Sequence, residues 1–175
     1  MKSKSSIQIV LTAAFAALYA VGVVFLAPIS FQVFQVRVAD ALLPLAILFG
    51  WPAILGVSLG AFVANVFGGL GPVDMIGGAL ANFIATLLAW RIVNSKGKKW
   101  SLVGVGVEIL VVTLVVGTYL SYLLAIPLPL SWLGIFLGSL TAIGVLGSIL
   151  LLALSRKNVV DLLRSHGLSE ERAST

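Results

Sequence analysis

The chain has 175 residues, 60% of them hydrophobic and 10% charged, against roughly 45–50% and 25% in an average soluble domain. With a mean hydropathy of +1.16, its apolar surface exceeds what one water-soluble core of this length buries, which excludes a soluble globular domain, a nucleic-acid-binding domain and a disordered linker. Eleven Lys and Arg against six Asp and Glu give a net charge of +5, and the lack of Cys excludes disulfides, thiolate metal sites and thiol catalysis.

Residues 7–26 carry no charge. About 20 such residues make enough helix for a hydrocarbon core of about 30 Å, and the run is longer than the roughly 7–15-residue apolar part of a signal peptide. This is helix 1. Pro28 ends it, and the more polar stretch from Ile29 through Gln32 and Gln35 to Arg37 reads as a loop. Residues 41–50 form a short helix 2. Trp51-Pro52 is expected to turn the chain, because the residue before Pro is biased away from helix, and residues 53–67 return as helix 3. Gly68-Gly69-Leu70-Gly71-Pro72 is a loop by composition. Residues 73–93 give helix 4 and residues 102–124 helix 5. After the turn at Ile126-Pro127-Leu128-Pro129, residues 131–154 give helix 6. The expected protein is an all-α membrane protein: a six-helix transmembrane substrate-binding domain over residues 1–155 and a short cytosolic tail over 156–175.

The charges test this topology. With the N-terminus inside, every Lys and Arg except Arg37 falls on the cytoplasmic side, from Lys2 and Lys4 through Arg91, Lys96, Lys98 and Lys99 to Arg156 and beyond. Cytoplasmic loops carry such an excess, so the expected orientation is N-in/C-in in the cell membrane. Small residues recur every fourth position: Gly56, Gly60 and Ala64 in helix 3; Gly77, Ala81, Ala85 and Ala89 in helix 4; Gly134, Gly138 and Ala142 in helix 6. That spacing lets helix backbones approach closely in lipid. Helix 1 has two such ladders on adjoining faces, Ala13/Ala17 and Ala16/Ala20. One can pack inward while the other meets a second protein.

Polar residues inside a membrane are costly and are therefore functional candidates. Gln32, Gln35, Arg37, Asp40, Asn65 and Asp74 all fall near the outer end of the six-helix arrangement. Asn82 lies about two turns down helix 4, and Phe31, Phe34, Tyr122 and Trp132 are expected nearby. Hydrogen-bonding groups between aromatic walls suit a small planar ligand. Each residue also has a plainer reading. Arg37 and Asp40 stand at i and i+3 and suit a local ion pair. Asp74 suits the positive start of helix 4. Asn65 and Asn82 suit interhelical hydrogen bonds. Glu108 lies about 10 Å into helix 5 with no basic residue one turn away, so it needs a proton, a partner on another helix or a wet cavity.

Catalytic patterns are missing. The sole His is His166, in the tail, and no paired His, nucleophile-elbow or phosphate-loop motif is present. No enzyme activity, cofactor or metal is expected, and any uphill transport draws its energy from a partner or an ion gradient. Three functions remain open: an outward-facing substrate-binding membrane subunit, an ion-coupled secondary transporter of a small solute working through Glu108, or a membrane scaffold without ligand.

Three stretches carry a family resemblance: Ala27-Pro28-Ile29-Ser30-Phe31, Gln35-Val36-Arg37-Val38-Ala39-Asp40-Ala41-Leu42 and Gly69-Leu70-Gly71-Pro72-Val73-Asp74, together with the helix 1 Ala ladder. In these the chain resembles the S components, or substrate-capture subunits, of energy-coupling factor (ECF) transporters, and among them the QueT family. The resemblance implies an S-component-like bundle that binds its substrate on the outer side, with a transmembrane T subunit and two cytosolic ATPases as partners. It makes Ala13, Ala16, Ala17 and Ala20 candidate contacts to the T subunit. It implies a queuosine precursor as substrate, a 7-deazaguanine such as preQ1. Asp40, Asp74 and Glu108 are then candidate acids for the guanine-like edge and the aminomethyl cation, with Gln35, Arg37 and Asn82 beside them. The sequence departs from the family pattern at three places. Asp40 stands where Glu is expected, Thr113-Leu114-Val115 precedes Val116-Gly117 without the usual Asn, and Ser139 follows Gly138 where the family has Glu. Glu108 is an acid on another helix that can stand in for the lost one.

Overall fold

The computed structural model describes residues 4–31 and 35–165, and every regular element among them is helical. Helix α1 spans Lys4–Phe25, and a single helical turn, Ala27–Ser30, follows Leu26. Helix α2, Val38–Phe49, is wound as a 3-10 helix over Val38–Leu45 and as an α-helix over Ala46–Phe49. Pro44 sits inside it, where the missing N–H and the bulk of the ring both oppose a regular α ladder. Helices α3 (Trp51–Gly68), α4 (Pro72–Lys96) and α5 (Ser101–Leu123) are regular. Helix α6, Leu128–Leu154, contains a π-helical stretch at Leu140–Gly147. The short α7, Lys157–Ser165, packs back through the buried Val160.

Two expected turns sit elsewhere. The chain reverses at Gly50, with φ 62° and ψ −135°, and not at Trp51-Pro52. A positive φ of this kind suits Gly alone. Pro52 instead occupies the first turn of α3, where its fixed φ fits and its missing N–H is not needed. Pro129 does the same in α6, so that helix begins earlier than residue 131. The tail residue His166 and the loop residues Gln32 and Phe34 lie outside the described residues.

Close approaches set the directions. Gly56 lies on Thr12 and Phe15, and Gly60 on Ala16 and Tyr19, so α1 and α3 run parallel. The chain therefore returns through α2 between them. Gly138 lies on Gln35 and Val36 and Gly147 on Ala41 and Pro44, so α6 runs parallel to α2. Contacts of Asn65 with Asp74, Gly104 with Ala89, and Gly117 with Trp132 make α3–α4, α4–α5 and α5–α6 antiparallel. The six segments thus alternate in direction, and α6 ends at the end of the bundle where α1 starts.

Five helices, α1 and α3 to α6, are long and apolar enough to cross a membrane. The sixth, α2, is about 20 Å long at 1.5–2.0 Å per residue. It is enclosed: Leu43, Ala46 and Leu48 are completely buried. The outer faces of the long helices carry exposed apolar side chains such as Val10, Leu18, Phe67, Leu80, Leu110 and Ile149. The expected small-residue ladders lie at helix contacts, with Ala64, Ala81, Ala85, Ala89 and Ala142 fully buried.

A Cβ at Gly60 would stand 2.7 Å from both the Ala16 carbonyl oxygen and the Tyr19 Cβ. Gly60→Ala is expected to destabilise by about 1–3 kcal/mol, as other overpacked contacts do. Gly106, with nothing within 4 Å of its Cβ position, sets the contrast: Gly106→Ala should be neutral or stabilising by up to about 1 kcal/mol. Thermal unfolding of the detergent-solubilised variants reads both.

Candidate functional site

Most of the uncommon polar residues come together at the end of the bundle where α2 begins. Arg37 occupies the N-cap position of α2 and Asp40 its first turn, with Gln35 just before; all three are buried. Gly138 of α6 holds this entry in place. The Gln35 carbonyl lies so close to it that any Cβ at position 138 would collide. The result is a cleft whose polar lining is Gln35, Arg37, Asp40, Asn82 and Ser139 and whose apolar wall is Val112, Val116 and Ile135. The cleft is drawn tight, with a free volume of about 10 Å³, room for about one water molecule.

Two phenols hold two carboxylates. Tyr19 of α1, completely buried, donates to Asp40 Oδ1 at 2.5 Å. Tyr119 of α5 donates to Asp74 Oδ1 at 2.9 Å. Asn65 Nδ2 donates to the Asp74 backbone carbonyl at 2.8 Å, tying α3 to the start of α4. Asp74 does not cap its helix: the α4 N-cap is Gly71, with no side-chain cap. The guanidinium of Arg37 lies 5.6 Å from the Phe31 ring centroid and close enough to Asp40 and Asp74 to attract both.

Several buried polar atoms here have no hydrogen-bond partner among the described residues: Arg37 Nε, Asn65 Oδ1, Asp74 Oδ2, Asn82 Nδ2, Thr113 Oγ1 and both oxygens of Glu108. Each such group costs about 1–3 kcal/mol, more where it is charged, so a cluster of them marks a place prepared for something polar. Glu108 is completely buried and faces the field of Asp40. This answers the question its position in the sequence raises: it points into the bundle beneath the cleft. Asp40 and Asp74 thus flank the one guanidinium, and Glu108 adds a third carboxyl group near Asp40, a surplus of acceptors that suits a ligand bringing donors or positive charge.

Of the residues expected from the sequence, Gln35, Arg37, Asp40 and Asn82 line the cleft, while Asp74 and Glu108 stand outside its lining, within the fields of Arg37 and Asp40 respectively. It does not bring Tyr122 there. Tyr122 is 85% exposed, off the buried stripe of Val105, Glu108, Ile109, Val112, Val116 and Leu120. Trp132 lies on Gly117, and its indole donates to Thr118 at 3.1 Å. Sequence reasoning misses Tyr19 and Tyr119, and marks Ser139 only as a departure from the family pattern. The first two stand in apolar runs, where an aromatic ring reads as core; only their hydroxyls hint at a buried acceptor. On α1, Ala13 and Ala17 are exposed, while Ala16 and Ala20 are half-buried on the side of α3.

A family model described as QueT transporter matches residues 9–156. No curated protein and no solved structure matches the chain.

Tyr119→Phe would leave the buried Asp74 carboxyl group without a hydrogen-bond donor at either oxygen. A loss of about 1–3 kcal/mol is expected, while Tyr122→Phe should change nothing measurable. Equal melting temperatures for Tyr119→Phe and the wild type would contradict the pairing.

Proposed function

The chain belongs to the QueT transporter family, and on that premise we propose that it is the substrate-capture subunit, the S component, of an ECF-type importer. It is a multi-pass membrane protein, and in this reading all six helices α1–α6 cross the bilayer with both ends cytoplasmic. The parallel run of α1 and α3 supports a crossing by α2. The basic residues support the orientation: Arg91, Lys96, Lys98, Lys99, Arg156 and Lys157 all cluster at the end of the bundle where α1 starts. The cleft then faces outward.

The observation that carries this reading is the buried polar cluster in an otherwise apolar bundle, with three carboxyl groups against the single guanidinium of Arg37. A queuosine precursor such as preQ1 fits that chemistry. Its guanine-like edge offers two N–H donors to one carboxylate, and its aminomethyl cation pairs with a second acid. Asp40 lines the cleft beside Asn82 and suits the first role; Glu108 or Asp74 suits the second. Gln35 and Arg37 complete the hydrogen bonding, and the tight cleft opens by side-chain movement to admit the ligand.

The energising partners are a T subunit and two cytosolic ATPases, since the chain carries no phosphate loop. The exposed Ala13 and Ala17 face them. Between α1 and α3 an apolar groove bounded by Thr12, Ala13, Ala16, Trp51, Leu55 and Leu59 offers a helix of the T subunit a close seat.

The buried, unpartnered Glu108 favours one second reading, an ion-coupled secondary transporter. Uptake in cells without a T subunit or ATPases, abolished by a proton uncoupler and uncoupled by Glu108→Gln, would establish it in place of the first.

Calorimetric titration of the purified chain with preQ1, without ATP, is expected to show saturable binding, weakened about tenfold or more by Asp40→Asn. Folded protein that binds no member of a panel of deazapurines and water-soluble vitamins would end the substrate assignment. Ala17→Trp should abolish uptake in cells with the ECF partners and leave binding intact. Loss of binding instead would make that face internal packing.

A further inference from the structure

A second cavity lies at the opposite end of the bundle from the polar cleft, between the end of α2, the start of α5 and the end of α6. Its volume is about 270 Å³. Its walls are of two kinds. Ile47, Leu48, Leu102, Val105, Leu151 and Leu152 make an apolar slot, and Lys98, Lys99, Ser101, Ser148 and Ser155 supply its polar atoms. No acid lines it. The acids among the described residues are Asp40, Asp74 and Glu108, at the polar cleft, and Asp161, on α7.

The polar rim is positive for more than one reason. Lys98 and Lys99 stand in the short turn before α5. Arg156 and Lys157 follow Ser155 directly. Helix α5 has no acid in its first turn and no side-chain cap; the turn Lys98–Trp100 runs straight into it, and the Ser101 N–H and hydroxyl both donate to the Lys98 carbonyl, the hydroxyl at 2.7 Å. The rim therefore sits at the positive end of a long helix dipole that no acid offsets in the first turn. Lys96 is set apart, its ammonium 4.3 Å from the ring centroid of Trp100. An aromatic ring of that kind marks a membrane–water boundary.

A cationic, hydroxyl-bearing rim continuous with an apolar slot matches one chemistry, a phosphate group joined to hydrocarbon. Neither half explains the other alone. A free anion has no use for the slot, and lipid chains in general have no use for the lysines. We propose that this cavity binds one anionic diacyl phospholipid, with its phosphate at Lys98, Lys99 and the start of α5 and one acyl chain between α5 and α6. The site is independent of the solute cleft and of its ligand. It locks the end of the enclosed α2 against α5 and α6, so its occupancy stabilises the fold. Basic pockets between membrane helices bind anionic head groups elsewhere by this logic.

The test is native mass spectrometry of the full chain after incubation in detergent with phosphatidylglycerol or phosphatidylcholine. Wild-type protein should retain one phosphatidylglycerol at least tenfold more than phosphatidylcholine, with a matching rise in melting temperature. The double substitution Lys98→Gln/Lys99→Gln should lower retention at least tenfold. Ser148→Phe keeps every charge and fills the slot, and should lower retention as much. If that variant does not fold, Leu102→Trp, at the exposed mouth, takes its place. Arg91→Gln removes a cation at the same end of the bundle that does not line the cavity, and should change nothing. Loss in Arg91→Gln equal to that in the double variant would overturn the site in favour of general surface attraction. Unchanged retention in both slot-filling variants, or displacement of the lipid by inorganic phosphate, would overturn it in favour of a bare anion site.

Discussion

The contact on which the rest of the structure depends is the backbone approach of α1 to α3 at Gly56 and Gly60. In lipid there is no hydrophobic drive to bring two apolar helices together, so close packing has to do it. Gly56 and Gly60 have no Cβ, and Thr12, Phe15, Ala16 and Tyr19 fill the space. Because the two helices meet in the same direction, the chain between them must run back along the bundle. That return is α2, and its short length, its 3-10 winding and its burial all belong to an element inserted between neighbours already in contact. The insertion carries Arg37 and Asp40 inward, and it brings Asp40 under the hydroxyl of Tyr19 on α1.

The polar cleft is thus built from helices that sequence separates widely. α1 gives Tyr19, α2 Arg37 and Asp40, α4 Asp74 and Asn82, α5 Glu108 and Tyr119, and α6 Ser139. Two phenol–carboxylate pairs hold Asp40 and Asp74 in set orientations, while Asn82 Nδ2, Arg37 Nε and both Glu108 oxygens have no partner among the described residues. The division has a physical sense. The fixed groups set the shape of the cleft, and the unsatisfied ones have most to gain from a partner, because a buried polar atom gains most where water is scarce. The two ends of the molecule differ in charge: acids with one guanidinium near the cleft, lysines at a helix start at the other cavity.

Much of the fold is legible in the residues, because apolar length and loop composition are local. The five long helices begin and end within a few residues of where apolar runs and Gly-Pro signals place them. The errors fall on proline. Pro52 and Pro129 read as breaks but sit in the first turns of helices, where the backbone has no N–H to lose. The site is legible in part. A charged or amide side chain in an apolar run stands out, so Arg37, Asp40, Asp74, Asn82 and Glu108 can be named from the sequence. Tyr19 and Tyr119 cannot, since a ring in an apolar run is ordinary and only a neighbour from another helix gives its hydroxyl a purpose. Tyr122 shows the converse, an aromatic near the right level on the wrong side of α5.

By itself the sequence determined the membrane class, the extents of the long helices and the gathering of the basic residues toward one end of the bundle, because each depends on apolar length and on charge counted along the chain. Tertiary structure alone decided which helices run side by side, which phenol meets which carboxylate, and that Glu108 lies beneath Asp40. Those outcomes depend on how deeply one backbone can sink against another. That depth is set where a missing Cβ on one helix meets the side chains of a distant one.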